Sequence, residues 1–292
     1  MKFFVRKEPA FDEQMIRTCK NCSHEFNGRY CNRCGEKVVE RYERTILHFL
    51  NHVFNAFTFI DSKFLLSFKS MLLRPGQMAL DMAEGRRQPY MKPVAFFFVG
   101  NVIYFLFPLF QTFNSSLYAQ MHSMPYSEYV QQVVKEYLTA NGIEYKVFAE
   151  QYYSESTAWA KMILIVIPPL FLPIAAVVNY ARKFMLSDHF LFAMEFSSFL
   201  IFIPTIVLPF ILRGIIWLGA LFGADFNFIN SDEFTTPIIG VLMLYFFARA
   251  THTFYKFSKW RVIISSVLML LSLYLVVHAY RFILFIISMW TV

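Results

Sequence analysis

The chain has 292 residues, 57% hydrophobic and only 16% charged, with 27 Lys and Arg against 20 Asp and Glu for a formal net charge of +7. So much apolar side chain cannot be packed inside one water-soluble domain, so the excess must face lipid or partners. That excludes an ordinary soluble globular protein and makes nucleic acid an unfavoured partner, because the basic surplus is accounted for by membrane topology.

The N-terminal MKFFVRKEPAF has no continuous apolar core and no small-residue cleavage site, so insertion is expected to rely on internal spans rather than a cleaved signal. All four cysteines follow in one window, Cys19-Lys-Asn-Cys22 and Cys31-Asn-Arg-Cys34-Gly35. Two Cys-x-x-Cys turns can point four thiolates at one tetrahedral ion, so Cys19, Cys22, Cys31 and Cys34 are the expected ligands of a structural Zn2+. The intervening SHEFNGRY is expected to form a minimal hairpin, with Asn27-Gly28 as the turn and Phe26 and Tyr30 as cover. Four thiolates close the coordination shell and leave no position for a reactive water, so no catalytic residue is assigned. His24 reads as a surface histidine.

From Thr45 to Leu73 the pattern is amphipathic. Ile46, Phe49, Leu50, Val53, Phe54 and Phe57 share one stripe, and a second helix is expected from a cap at Asp61 to the Arg74-Pro75-Gly76 stop. These helices should lie on the membrane surface or under the bundle. His48 and His52 are four apart, but HFLNH lacks the glutamate of a zinc-protease motif and reads as a solvated polar face. The following EGRRQPYMKP places Arg86, Arg87, Tyr90 and Lys92 at headgroup depth, where they either contact an anionic group of membrane lipid or anchor the topology.

About five stretches are long and apolar enough to cross a hydrocarbon core about 30 Å thick: Pro93 to Phe113, Met162 to Tyr180, Phe190 to Phe222 as one kinked helix, Phe234 to Tyr255, and Val262 to Trp290. Basic residues flank alternate ends, and acidic residues dominate the 114–161 and 223–233 connections. The positive-inside rule then predicts a cytosolic N-terminus and an external C-terminus, with the cysteines in the reducing cytosol. Arg213, His278 and Arg281 arrive near the outer edge of the core, where they either share an anion, pair with Asp225 and Asp232, or snorkel. Glu195 and Asn101 are candidates for contacts between helices.

The four-cysteine ribbon, Arg44-Thr45, Asp61-x-x-Phe64, Arg74-Pro75-Gly76 and Glu84-Gly85-x-Arg87-x-x-Tyr90-x-x-Pro93 occur in an order that resembles the bacterial membrane proteins grouped as domain of unknown function 3667. The resemblance covers about residues 19 to 113, implies architecture and a bacterial cytoplasmic membrane setting, and implies no activity. The expected fold class is an all-α polytopic membrane protein. Residues 1–40 form the ribbon, 41–92 the interfacial helices and basic turn, and 93–292 the transmembrane bundle. The function expected first is a non-enzymatic scaffold or adaptor whose ribbon docks a cytosolic protein partner. The alternative is a transporter or lipid-handling protein that binds an anionic group near Arg213 and Arg281. A membrane enzyme has least support, because no nucleophile or His-Asp-Glu cluster accompanies the arginines.

Overall fold

The computed structural model describes residues 12, 14–35, 38, 62–106, 113–181, 183–224 and 226–292. The helix expected from Thr45, with His48 and His52, the Asp61 cap, Asp225 and the Asp232 side chain lie outside the described residues. The chain divides into two compact units, Met1–Ile60 and Asp61–Val292.

In the first unit, β1 (Arg17–Thr18) pairs antiparallel with β2 (Glu25–Phe26), in register Arg17 to Phe26 and Thr18 to Glu25. This corrects the expected hairpin: β2 pairs across the first Cys-x-x-Cys turn rather than within SHEFNGRY. The reason is that Cys19 and Cys22 sit in the connection itself, and Cys19 N–H donates to His24 O at 2.9 Å to close it. Phe26 is buried against Cys19 and Cys31, as a covering residue should be, whereas Tyr30 is 60% exposed and is not part of this cluster among the described residues.

The second unit is all-helical among its described residues. Two helices, α1 (Ser62–Leu73) and α2 (Gln77–Ala83), precede α3 (Pro93–Leu106). At about 1.5 Å per residue the described part of α3 rises about 21 Å, and residues 107–112, where the first span was expected to finish, lie outside the description. Next come α4 (Leu117–His122) and α5 (Ser127–Asn141), the latter ended by Gly142 at φ 64. Four long apolar helices follow: α6 (Tyr145–Val178), α7 (Leu186–Leu221), α8 (Glu233–Tyr255) and α9 (Lys259–Thr291).

The start of α6 differs from the expected Met162. Its apolar run marks where the helix becomes greasy, not where it begins, because Phe148, Tyr152 and Ser156 already recur on one buried face upstream. A 3₁₀ turn at Ile163–Val166 precedes Pro168 and Pro169, which then occupy the first turn of the resumed helix, where a missing N–H costs little. The kink expected in α7 is a π-helical segment, Ile201–Val207, containing Pro204. There the Thr205 hydroxyl donates to Leu200 O at 2.8 Å, five residues back, taking up a carbonyl displaced from the normal ladder.

The main core is built from phenylalanine. Phe171 meets Phe196 with centroids 4.3 Å apart, Phe196 meets Phe247 at 4.8 Å and Phe199 meets Phe246 at 4.7 Å. Offset and tilted ring pairs of this kind add to simple burial. The short helices share this core, since Met71, Met78, Ala79 and Met82 are buried in it, and Phe64 and Phe68 reach Phe202 at 5.8 and 5.6 Å. At the opposite end, Leu117, Val130, Val134, Phe148 and Tyr152 enclose Phe285 of α9, so α4, α5 and the first turns of α6 form a helical cap there.

Candidate functional site

Three groups of polar side chains stand out, each assembled differently. The first is the cysteine cluster. All four sulfurs lie within 4.8 Å of one another, with Cys19 Sγ to Cys34 Sγ at 3.5 Å and Cys22 Sγ to Cys31 Sγ at 3.7 Å. A tetrahedral ion with metal–sulfur bonds of about 2.3 Å has an edge of about 3.8 Å, so the spacing fits a central cation. The two turns are built alike. Ser23 N–H donates to Cys19 O at 2.9 Å and Gly35 N–H to Cys31 O at 2.8 Å. The donor residue in each has positive φ, 58 for Ser23 and 76 for Gly35. The crowding also matters electrostatically. A backbone hydrogen bond at His24 would lower the Cys22 thiol, but desolvation and the thiols of Cys34, Cys19 and Cys31 outweigh it and push it up to about 12. Four adjacent thiolates need a cation between them, and this donor set is compatible with metal binding.

The second group joins α2 to the bundle. Glu195 of α7 is fully buried and its carboxyl accepts Gly76 N–H at 2.8 Å and Ala79 N–H at 2.7 Å, taking two of the otherwise unpaired amides at the start of α2. Gly76 has φ 82, and a β-carbon there would lie 2.6 Å from Ala250 O of α8, so the turn permits only glycine. On α2 itself, Asp81 is the hub of the EGRRQPY segment. Its carboxylate accepts from Arg86 Nη2 at 2.5 Å, Arg86 Nε at 3.1 Å, Gln77 Nε2 at 2.8 Å and the Tyr90 hydroxyl at 2.7 Å. Burial pushes the Asp81 carboxyl up, but these hydrogen bonds and the Arg86 charge outweigh it and hold it below the usual carboxylate range. Arg86 also reaches Glu84 at 2.7 Å, and Glu84 reaches Lys256 at 3.6 Å, tying the turn to the end of α8.

Two of the four residues singled out in this segment, Arg86 and Tyr90, therefore serve an internal carboxylate. Arg87 and Lys92 instead line a cavity of about 600 Å³ beside Ser187 and Asp188 at the start of α7. Asp81 is missed in a reading of the sequence alone. Its signal, an acid five residues before an arginine and nine before a tyrosine, was visible only as spacing across a turn.

The third group lies inside the bundle. An apolar, partly open cavity of about 350 Å³ lies between α6, the π turn of α7, α8 and α9, and its lining includes His278 and Arg281 but not Arg213. Arg213 is exposed on α7. His278 Nδ1 lies 2.7 Å from Tyr274 O; because a carbonyl only accepts, this nitrogen carries the proton. Arg281 is held from the cap side, where Gln120 donates through Nε2 to its backbone O at 3.3 Å, while Gln120 Oε1 accepts from the Tyr126 hydroxyl at 2.9 Å.

These features define a polytopic helical membrane protein carrying a four-cysteine head. The family model described as "Protein of unknown function (DUF3667)" matches residues 61–105, which is the stretch of α1, α2, the EGRRQPY turn and α3. No curated protein and no solved structure matches the chain.

Proposed function

We propose that the protein is a membrane-anchored docking module of the cytoplasmic membrane, whose cytosolic head is folded around one structural Zn2+ held by Cys19, Cys22, Cys31 and Cys34. The observation that carries this reading is the convergence of four sulfurs within 4.8 Å on two turns of the same construction. A tetrathiolate shell is closed, so the ion supplies folding energy to a unit too small to hold itself together by burial alone. What remains for the head to do is present a surface. Ile16 is 71% exposed and Tyr30 60% exposed, and Lys20 and Arg33 of the same unit are exposed too. A small unit that exposes both apolar side chains and cations suits an acidic protein partner with an apolar anchor.

The test uses the full-length protein. Metal analysis should return one zinc per chain, and Cys31→Ser should abolish it. A photo-crosslinking residue at position 16 or 30 should give one discrete adduct in cells, lost in Cys31→Ser. A zinc content near zero with free thiols would overturn the metal site. Absence of a discrete adduct at both positions, with zinc bound, would overturn the docking role and leave the metal site standing.

A further inference from the structure

The intramembrane cavity is polarised along its length. Its α9 wall runs from Leu270 to Arg281, a rise of about 17 Å, with leucines at one end and His278 and Arg281 at the other. Across from this wall, Gly240 of α8 lines the cavity, and a β-carbon placed there would meet nothing within 4 Å. The third wall is the π turn at Pro204 and Thr205, where proline withdraws one backbone donor and the wider helical turn leaves room beside it. A volume of about 350 Å³ lies within the range of small-ligand sites, about 300–1,000 Å³, at its lower end.

We infer that this cavity binds one single-chain anionic amphiphile, with its apolar chain along Leu270, Leu273 and Gly240 and its anionic head on the Arg281 guanidinium. Charge complementarity selects the occupant, because an arginine facing an apolar cavity inside a membrane costs free energy unless an anion accompanies it. The planar guanidinium fork suits a carboxylate or phosphate oxygen pair. His278 lines the same end, but with its Nδ1–H committed to Tyr274 O its Nε2 is an acceptor, so the anion is held by Arg281. Pro204 and Thr205 keep the chain end open by preventing α7 from closing onto α9. The inference is independent of the metal head.

Binding of hexadecanoate, hexadecyl phosphate and hexadecanol to the full-length protein in phosphatidylcholine nanodiscs tests this. At least one of the two anions should bind saturably with one site per chain, and hexadecanol at least tenfold more weakly; which anion binds tighter distinguishes a fatty acid from a phosphorylated lipid. Arg281→Gln should weaken the anion at least tenfold and leave the alcohol unchanged, while Arg281→Lys retains most of the affinity. Gly240→Leu fills the cavity at a helical position where leucine is favoured over glycine, and should abolish saturable binding without lowering the melting temperature. Equal affinity for alcohol and anions, or undiminished binding by Gly240→Leu, would overturn the inference. If Arg281→Gln does not fold, the Gly240→Leu result and the comparison of alcohol with anions decide it.

Discussion

Glu195 and Gly76 are 119 residues apart, and the Glu195 carboxyl accepts the Gly76 amide at 2.8 Å while its second oxygen accepts Ala79 N–H. One buried side chain of a membrane-spanning helix thus caps a short helix that would otherwise end in unpaired donors inside the main core. Replacing it with glutamine leaves one acceptor and turns an NH2 group toward the other amide. We expect Glu195→Gln to cost about 2 kcal/mol, the penalty for leaving a buried amide donor without an acceptor. Thermal unfolding in detergent measures this, and trypsin should reach Arg74 and Arg87 faster in the variant.

Gly76 and Gly85 both have positive φ, 82 and 88, but only Gly76 faces a neighbour, Ala250, across which a β-carbon would clash. Gly85→Ala should therefore cost only the left-handed strain, about 1–2 kcal/mol. Gly76→Ala should cost clearly more, since the atom it meets is backbone and cannot swing away. Equal melting temperatures for the two variants would show that the Gly76 approach to α8 is not a constraint.

The Asp81 cluster makes a pH prediction whose sign is fixed by the direction of its shift. Its folded carboxyl titrates below the unfolded value of about 3.9, because Arg86, Tyr90 and Gln77 favour the charged form over the opposing effect of burial. The stabilisation is therefore fully present above that unfolded value and is lost as pH falls through the lower folded one. Asp81→Asn should flatten the acid limb of the stability profile, and Tyr90→Phe should move it slightly toward neutral pH.

Chelating the proposed Zn2+ should unfold residues near Cys19 to Gly35 and leave the helical unit intact, because the two are separate compact units. Circular dichroism after chelation should keep its helical signal while amide protection in the head disappears. Ser23 has φ 58 without being glycine, so Ser23→Gly should relieve roughly 1 kcal/mol of strain and raise the chelator concentration needed.

The cysteine spacing and the apolar runs were legible because both are properties of the chain in one dimension. Cys19 to Cys34 converge as their spacing requires, and α7, α8 and α9 begin and end within a few residues of their apolar tracts. Pairings across the bundle were not legible. Nothing local says which way Glu195 points around α7, and helix rotation alone decides that it meets Gly76 rather than lipid. The same geometry separates the two intramembrane arginines: depth along the sequence placed Arg213 beside Arg281, but only Arg281 lines the cavity. Tyr30 failed as cover for a related reason, since the strand partner of Phe26 lies before the cysteines rather than after them. The π turn at Pro204 was readable as a kink, and its register only from the Thr205 hydroxyl.

The contact between Gly76 and Ala250 also sets a schedule for making the protein. Synthesis runs from the N-terminus at about 5–20 residues per second, so the turn at Gly76 exists for on the order of ten seconds before the backbone it packs against has been made. During that interval α1 and α2 have neither Glu195 nor Ala250 to dock on, and their methionines have no finished core to enter. The segment matched by the family model can therefore complete its packing only after Ala250 has been made, so seating these early helices is a late step of assembly.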